Sequence, residues 1–148
     1  MIYVIDHNDS FTHNVVHQLS LFGKVECDNY NQINQNKLKN AEVIVFSPGP
    51  GNPKDYPETS KIYKKFKGKK KMIGICLGFQ QILFCEGAEI VEQKKIYHGF
   101  QSNIKVVNDK SLFQKGRIFK VGRYHSLKLK EPFNNDNFTI TMRCLNSK

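Results

Sequence analysis

The sequence predicts an α/β domain, an open and largely parallel sheet with helices on both faces, followed by an antiparallel extension. Three observations predict it. Short apolar runs, "IYVI", "VIVF" and "KMIGIC", alternate with stretches of helical period between Met1 and Gly87. Two of those runs break off in loops rich in glycine or proline, as strands do at the rim where a parallel sheet binds ligands. After Gly87 the pattern changes to β-rich runs joined by short turns, which reads as strands pairing with their neighbours.

Each element has its own signal. "MIYVID" opens the chain as a buried strand. Asn8, Asp9 and Ser10 can each cap a helix. Phe11, Val15, Leu19 and Phe22 then recur at helical spacing until Gly23 stops the stripe. "KVECDNY" is a weaker strand, and the polar "NQINQNKLKN" is a loop or a short surface helix. Val43 to Phe46 form a continuous apolar run that ends in "SPGPGNP". Pro57 stands where the first turn of the next helix begins, and Gly68 closes that helix. "KMIGIC" is the next buried strand, and "LGFQQILFCEG" the next helix, ended by Gly87. Beyond it "AEIVEQ", "SNIKVVN", "GRIFKVGRYHSL" and "FTITMRC" read as strands. With no internal repeat and no linker, residues 1–148 read as one domain.

Composition narrows the function classes. The net charge is +10, but the densest basic run, "KIYKKFKGKKKM", sets lysines around Ile62, Tyr63 and Phe66 as the wet face of an amphipathic helix would. Only three arginines are present, and base readout favours arginine, so nucleic acid is not the expected partner. No stretch approaches the about 20 apolar residues that span a bilayer, and "MIYVIDHNDS" has no basic region leading into an apolar one. No membrane association is expected. Cys27, Cys76, Cys85 and Cys144 are far apart, which points to free thiols and to the cytoplasm. The histidines and cysteines lack metal-ligand spacing, and no phosphate-binding loop of the GxxxxGK[ST] kind occurs. No cofactor is called for.

The chemistry concentrates at Gly74-Ile75-Cys76-Leu77-Gly78. A nucleophile carried on a tight strand-to-helix turn needs small residues two before and two after it, because side chains there would strike neighbouring backbone. The helix N-terminus behind Cys76 favours a thiolate, and the Leu77 N–H can help hold an oxyanion. The alternative is a buried structural cysteine between packing glycines, and the turn by itself does not decide. Cys85, one helix later, reads as core. The second loop, "SPGPGNP", should end on the same sheet rim as the turn, where Gly51 could present another N–H. It too has a plain reading, an ordinary Gly/Pro turn.

"IDHNDSFTHNVVHQL", "SPGPGNP", "GICLGFQQI", His98-Gly99 and "GRYHSL" together resemble the class I (triad-type) glutamine amidotransferases, in order and approximate spacing. The resemblance covers nearly the whole chain. Asp6, Asp9, Ser10, Phe11 and Thr12 match the opening pattern of one branch, the glutaminase subunit of anthranilate synthase and of aminodeoxychorismate synthase. The resemblance implies a flavodoxin-like fold and a reaction in which Cys76 attacks the side-chain amide of L-glutamine, forming a glutamyl thioester and releasing ammonia. It implies that Gly51 and Leu77 donate to the oxyanion, and that Gly49, Pro50, Gly51, Gln80, Ser126 and Leu127 hold the glutamine. The implied partner is a larger chorismate-binding synthase subunit, in a heterodimer or heterotetramer, serving tryptophan or folate biosynthesis.

Two departures accompany the resemblance. Phe79 stands where the branch usually has histidine, a change of packing or partner contact. The family's base, a histidine followed by proline and glutamate near the C-terminus, has no counterpart, since the sequence contains no His-Pro-Glu. His98 and His125 match positions that are not the base. His7, His13 and His17 fall in the first loop and helix, expected at the surface or against the partner. Three accounts follow: a truncated amidotransferase domain, the reading favoured here; a natural short form that binds a partner without catalysis; or His125 acting as base. A cysteine hydrolase of another kind, sharing only the turn, is a further alternative that the matches at Gln80 and Ser126 oppose.

Overall fold

The computed structural model describes residues 1–145, apart from the side chains at 94, 95 and 97. It contains two compact units, divided after Ile90.

The first unit is a four-stranded parallel sheet with helices on both faces. Its elements in order are β1 (Ile2–Asp6), α1 (Thr12–Ser20), β2 (Val25–Asn29), α2 (Gln35–Asn40), β3 (Val43–Phe46), a 3₁₀ turn (Pro53–Asp55), α3 (Pro57–Phe66), β4 (Lys71–Gly74) and α4 (Leu77–Cys85). The strand order is β2-β1-β3-β4, and every pair is parallel, with Ile2 opposite Val25 and Val43, and Val43 opposite Lys71.

Strand periodicity divides the core between two faces. Tyr3 and Ile5 of β1 and Ile44 and Phe46 of β3 point one way, where they meet Leu38 of α2 and Ile62, Tyr63 and Phe66 of α3. Val4 and Val45 point the other way and meet Val15 of α1. The central strands are therefore apolar on both sides, which is why they read as continuous apolar runs. β4, expected from the sequence as a buried strand, instead lies at the edge of this sheet with Lys71 exposed and Ile73 46% exposed, because its pairing in the sheet is with β3. Pro57 opens α3 and Gly68, at φ +74°, follows its end. Cys85 is half-buried and packs on the α3-side core.

The second unit is a three-stranded sheet of order β6-β5-β7, from β5 (Ile90–Val106), β6 (Ile118–Leu129) and β7 (Met142–Cys144). β5 and β7 are antiparallel, with Ile104 opposite Cys144.

Two further details differ from expectation. "AEIVEQ" and "SNIKVVN" belong to the single strand β5, because the polar residues between them continue the same backbone. The N-cap of α1 is Phe11, with no side-chain cap. The Asp6 carboxylate accepts from the Asn8 and Asp9 N–H groups and from Thr12 Oγ1 (2.8 Å), and Asp9 Oδ1 accepts from the Phe11 N–H (2.8 Å). Those acceptors hold residues 8–11 as a turn ahead of the helix.

Candidate active site

The site within the first unit is built on β3 and β4. β4 runs through Ile75 into Cys76, which takes φ 53° and ψ −108° at the N-terminus of α4. A non-glycine residue held at positive φ stores strain that the surrounding structure must overcome. Three backbone amides do so. The Ile75 N–H donates to the Phe46 carbonyl (3.0 Å), the Gly78 N–H reaches the carbonyls of Ile75 (3.0 Å) and Ser47 (3.2 Å), and the Gln80 N–H donates to the Cys76 carbonyl (3.0 Å).

The flanking glycines are required by close backbone approach. A Cβ at Gly74 would lie 2.5 Å from the Gly78 carbonyl oxygen, and one at Gly78 would lie 2.1 Å from the Phe46 carbonyl oxygen. Real Cβ atoms do not come so near fixed backbone, so only glycine fits at both positions.

Cys76 is exposed. Protein on its inner side raises the thiol above its ordinary pKa, the Leu77 N–H donates to the sulfur and lowers it, and the Asp9 carboxylate raises it again. The geometry offers the sulfur to solvent with one backbone donor in place, while the local field leaves it mainly as the thiol.

The Pro48–Pro53 loop abuts this turn. Gly49 packs between His7 and Leu77, where an added Cβ would come within 2.5 Å of His7 Cβ and 2.6 Å of Leu77 Cδ2. Pro50 is exposed, and its carbonyl accepts from the Tyr56 hydroxyl (2.8 Å). Gly51 adopts φ +76°. Beyond it, Asn52 and Asp55 form a capping box: the Asn52 N–H donates to Asp55 Oδ2 (2.8 Å), and Asn52 Oδ1 accepts from the Lys54 N–H (3.1 Å). Gln80, one turn into α4, is 8% exposed, and Phe79 beside it is 50% exposed. Cys76, Leu77, Gln80 and the Gly49–Gly51 loop thus share one rim.

The remaining expected residues belong to other elements. Ser126 and Leu127 are half-buried in β6 of the second unit. His98 is exposed on β5, and His13 and His17 are exposed on α1. His7 corrects the expectation of a surface or partner-facing residue, for it is wholly buried. Its ring lies beside Ser47 and Thr59, and loss of hydration lowers its pKa to about 4. His125 is engaged at both ring nitrogens: Arg123 Nε donates to Nε2 (3.2 Å), and Nδ1 faces the Leu127 carbonyl (3.0 Å) and Gln93. A lone pair already accepting from a guanidinium is a poor place to receive a substrate proton. Tyr56 and the Asn52–Asp55 box went unassigned in the sequence, although the Asn-x-x-Asp spacing is itself a capping signal, and Asp9 entered there only as a candidate cap and as part of the opening pattern.

Comparison with known proteins adds an independent line. Residues 3–148 match the family described as "Glutamine amidotransferase class-I". The chain is 34% identical over 143 residues to anthranilate synthase component 2 of Lactococcus lactis, covering 95% of this chain and 72% of that protein. It is 32% identical over 145 residues to the aminodeoxychorismate/anthranilate synthase component 2 of Bacillus subtilis, covering 95% and 74%. Among solved structures, a putative GMP synthase subunit from Thermoplasma acidophilum superimposes with a TM-score of 0.78 at 22% identity, over 97% of this chain and 72% of that one.

Proposed function

The chain belongs to the class I glutamine amidotransferase family, and on that footing we propose that it is the glutamine-handling component of a chorismate-using synthase. The larger subunit would receive the ammonia and make anthranilate or aminodeoxychorismate, in the cytoplasm. Residues 1–148 act in this reading as a single amidotransferase domain. No helix among the described residues is long and apolar enough to cross a membrane.

The observation that carries the reading is the turn at Cys76, an exposed sulfur at positive φ with the Leu77 N–H directed at it. The sulfur attacks the side-chain amide carbon of glutamine. Negative charge gathers on the amide oxygen, where the N–H groups of Leu77 and Gly51 stabilise it. Collapse breaks the C–N bond, the nitrogen takes up the thiol proton and leaves as ammonia, and water then cleaves the glutamyl thioester to glutamate. Gly49, Pro50 and Gln80, all on the rim of the first unit, are the residues placed to hold the α-amino and α-carboxylate groups of the substrate.

The proton is the weak link. The sequence has no His-Pro-Glu, and both nitrogens of His125 are occupied. Losses of about a thousandfold or more accompany removal of a triad base, so these 148 residues assayed by themselves should release ammonia slowly. That same observation favours a second reading, a partner-binding module with little catalysis. Ammonia release from glutamine, measured with the full chain alone and with a chorismate-binding subunit, separates them. Slow release abolished by Cys76→Ser supports the enzyme, and tight partner binding without release supports the module.

A further inference from the structure

We infer that His7 is a positioning residue for the oxyanion loop, its buried imidazole clamping Ser47 to Gly51 in the shape in which Gly51 can serve as donor. The inference rests on the amidotransferase reading above and assigns a role to a residue that the chemistry of Cys76, Leu77 and Gly51 leaves unused.

His7 follows the last residue of β1 and is wholly buried. Its backbone N–H donates to Ser47 Oγ (2.9 Å), and Nδ1 lies 3.2 Å from both Ser47 O and Ser47 Oγ. The Ser47 hydroxyl donates its hydrogen to the Pro48 carbonyl (2.6 Å). Both atoms facing Nδ1 are then acceptors, so Nδ1 carries the proton. Nε2 accepts, and the Thr59 hydroxyl of α3 donates to it (3.2 Å). The imidazole is neutral with both nitrogens satisfied, as a buried ring must be.

Its partners are the loop itself. The Ser47 carbonyl that faces His7 also accepts from the Gly78 N–H of the nucleophile turn (3.2 Å). Gly49 packs directly on His7 Cβ. The His7 ring meets Tyr56 edge to face, with centroids 4.9 Å apart, and the Tyr56 hydroxyl holds the Pro50 carbonyl. Ser47, Gly49 and Pro50 are each fixed by His7 or by the ring packed on it. A hydrocarbon side chain would fill the space but would leave the Ser47 carbonyl and the Thr59 hydroxyl without this partner.

The test compares two reagents on Cys76 of the full chain. The chloroketone analogue of L-glutamine depends on the oxyanion donors, because its ketone oxygen occupies the place of the amide oxygen; the S–C bond forms, chloride leaves and the thiol proton passes to solvent. Iodoacetamide alkylates the same sulfur without that requirement. In His7→Leu the chloroketone rate relative to iodoacetamide should fall by about tenfold to a hundredfold, the scale of a misplaced donor. His7→Asn, whose side chain reaches Ser47 as Nδ1 does, should restore the ratio to within about threefold of the native chain, whereas His7→Gln, reaching Thr59 instead, should not. If His7→Leu does not fold, the Asn and Gln variants decide. An unchanged ratio in all variants overturns the positioning role and leaves the amidotransferase reading intact. A native chain showing no preference for the chloroketone overturns both.

Discussion

The nucleophile turn of the first unit and the Arg123 cluster of the second solve one problem, holding a local geometry in place, by opposite means. At Cys76 the constraint is backbone against backbone: Gly74 on Gly78, Gly78 on Phe46, and amides on carbonyls. In the second unit it is side chain against side chain. The buried Arg123 donates to Gln93 Oε1 (3.2 Å), His125 Nε2 (3.2 Å) and Cys144 Sγ (3.5 Å), across the sheet from β6 to β7. The difference teaches where each region is fragile. A backbone-built turn fails at the smallest added atom, and a side-chain cluster fails when a donor is removed. The His7 pocket combines both kinds.

The largest effect should come from Gly78→Ala. With the new Cβ placed 2.1 Å from a fixed carbonyl oxygen, strand and helix must separate. The loss should exceed about 3 kcal/mol, beyond ordinary overpacking, read as a collapse of the urea midpoint. A midpoint near the native value would break the contrast at its root.

Acidification probes His7. Its folded pKa of about 4 lies below the ordinary histidine value of 6.5, so the unfolded chain binds the proton more readily. The stability from the neutral ring is present above pH 6.5 and is lost as pH falls toward 4, a contribution of about 3 kcal/mol. Asp6, Tyr30 and Tyr56 are its neighbours with ionisable groups. Urea midpoints across that window should decline in the native chain and decline less in His7→Asn. Parallel curves would rule the pocket out as the acid-sensitive element.

Arg123→Leu should cost about 1–3 kcal/mol by withdrawing the donors to Gln93 and His125, with Cys76 alkylation by iodoacetamide unaltered. Asp9→Asn should give the smallest change. It removes a charge that raises the Cys76 thiol, so the pH profile of alkylation should move to lower pH with no loss of stability. A shift in the other direction would reverse the assigned field.

Much of the first unit was legible because its signals are local. β1 and β3 carry consecutive apolar residues, and α3 carries its buried side at Thr59, Ile62, Tyr63 and Phe66. The turn at Cys76 was legible for the same reason, since the demand for Gly74 and Gly78 is a matter of neighbouring backbone. β5 was not seen whole because its middle is polar, and an antiparallel ladder needs no continuous apolar face there. The start of α1 was hidden because Asp6 and Asp9 bond the turn at residues 8–11 ahead of the helix, and no side chain caps it at Phe11. His7 escaped detection because its partners are 40 and 52 residues away, a separation that no spacing rule spans.

The carbonyls at the end of β3 hold both halves of the site. Phe46 accepts from Ile75, Ser47 accepts from Gly78, and the chain then continues directly into the Gly49–Gly51 loop. Any rocking of that strand carries thiol and loop along as passengers of one rigid piece, so their mutual spacing survives thermal breathing of the sheet. The amide protons of Ile75 and Gly78 should accordingly exchange with deuterium in step with those of β3 and not with those of the helix they introduce.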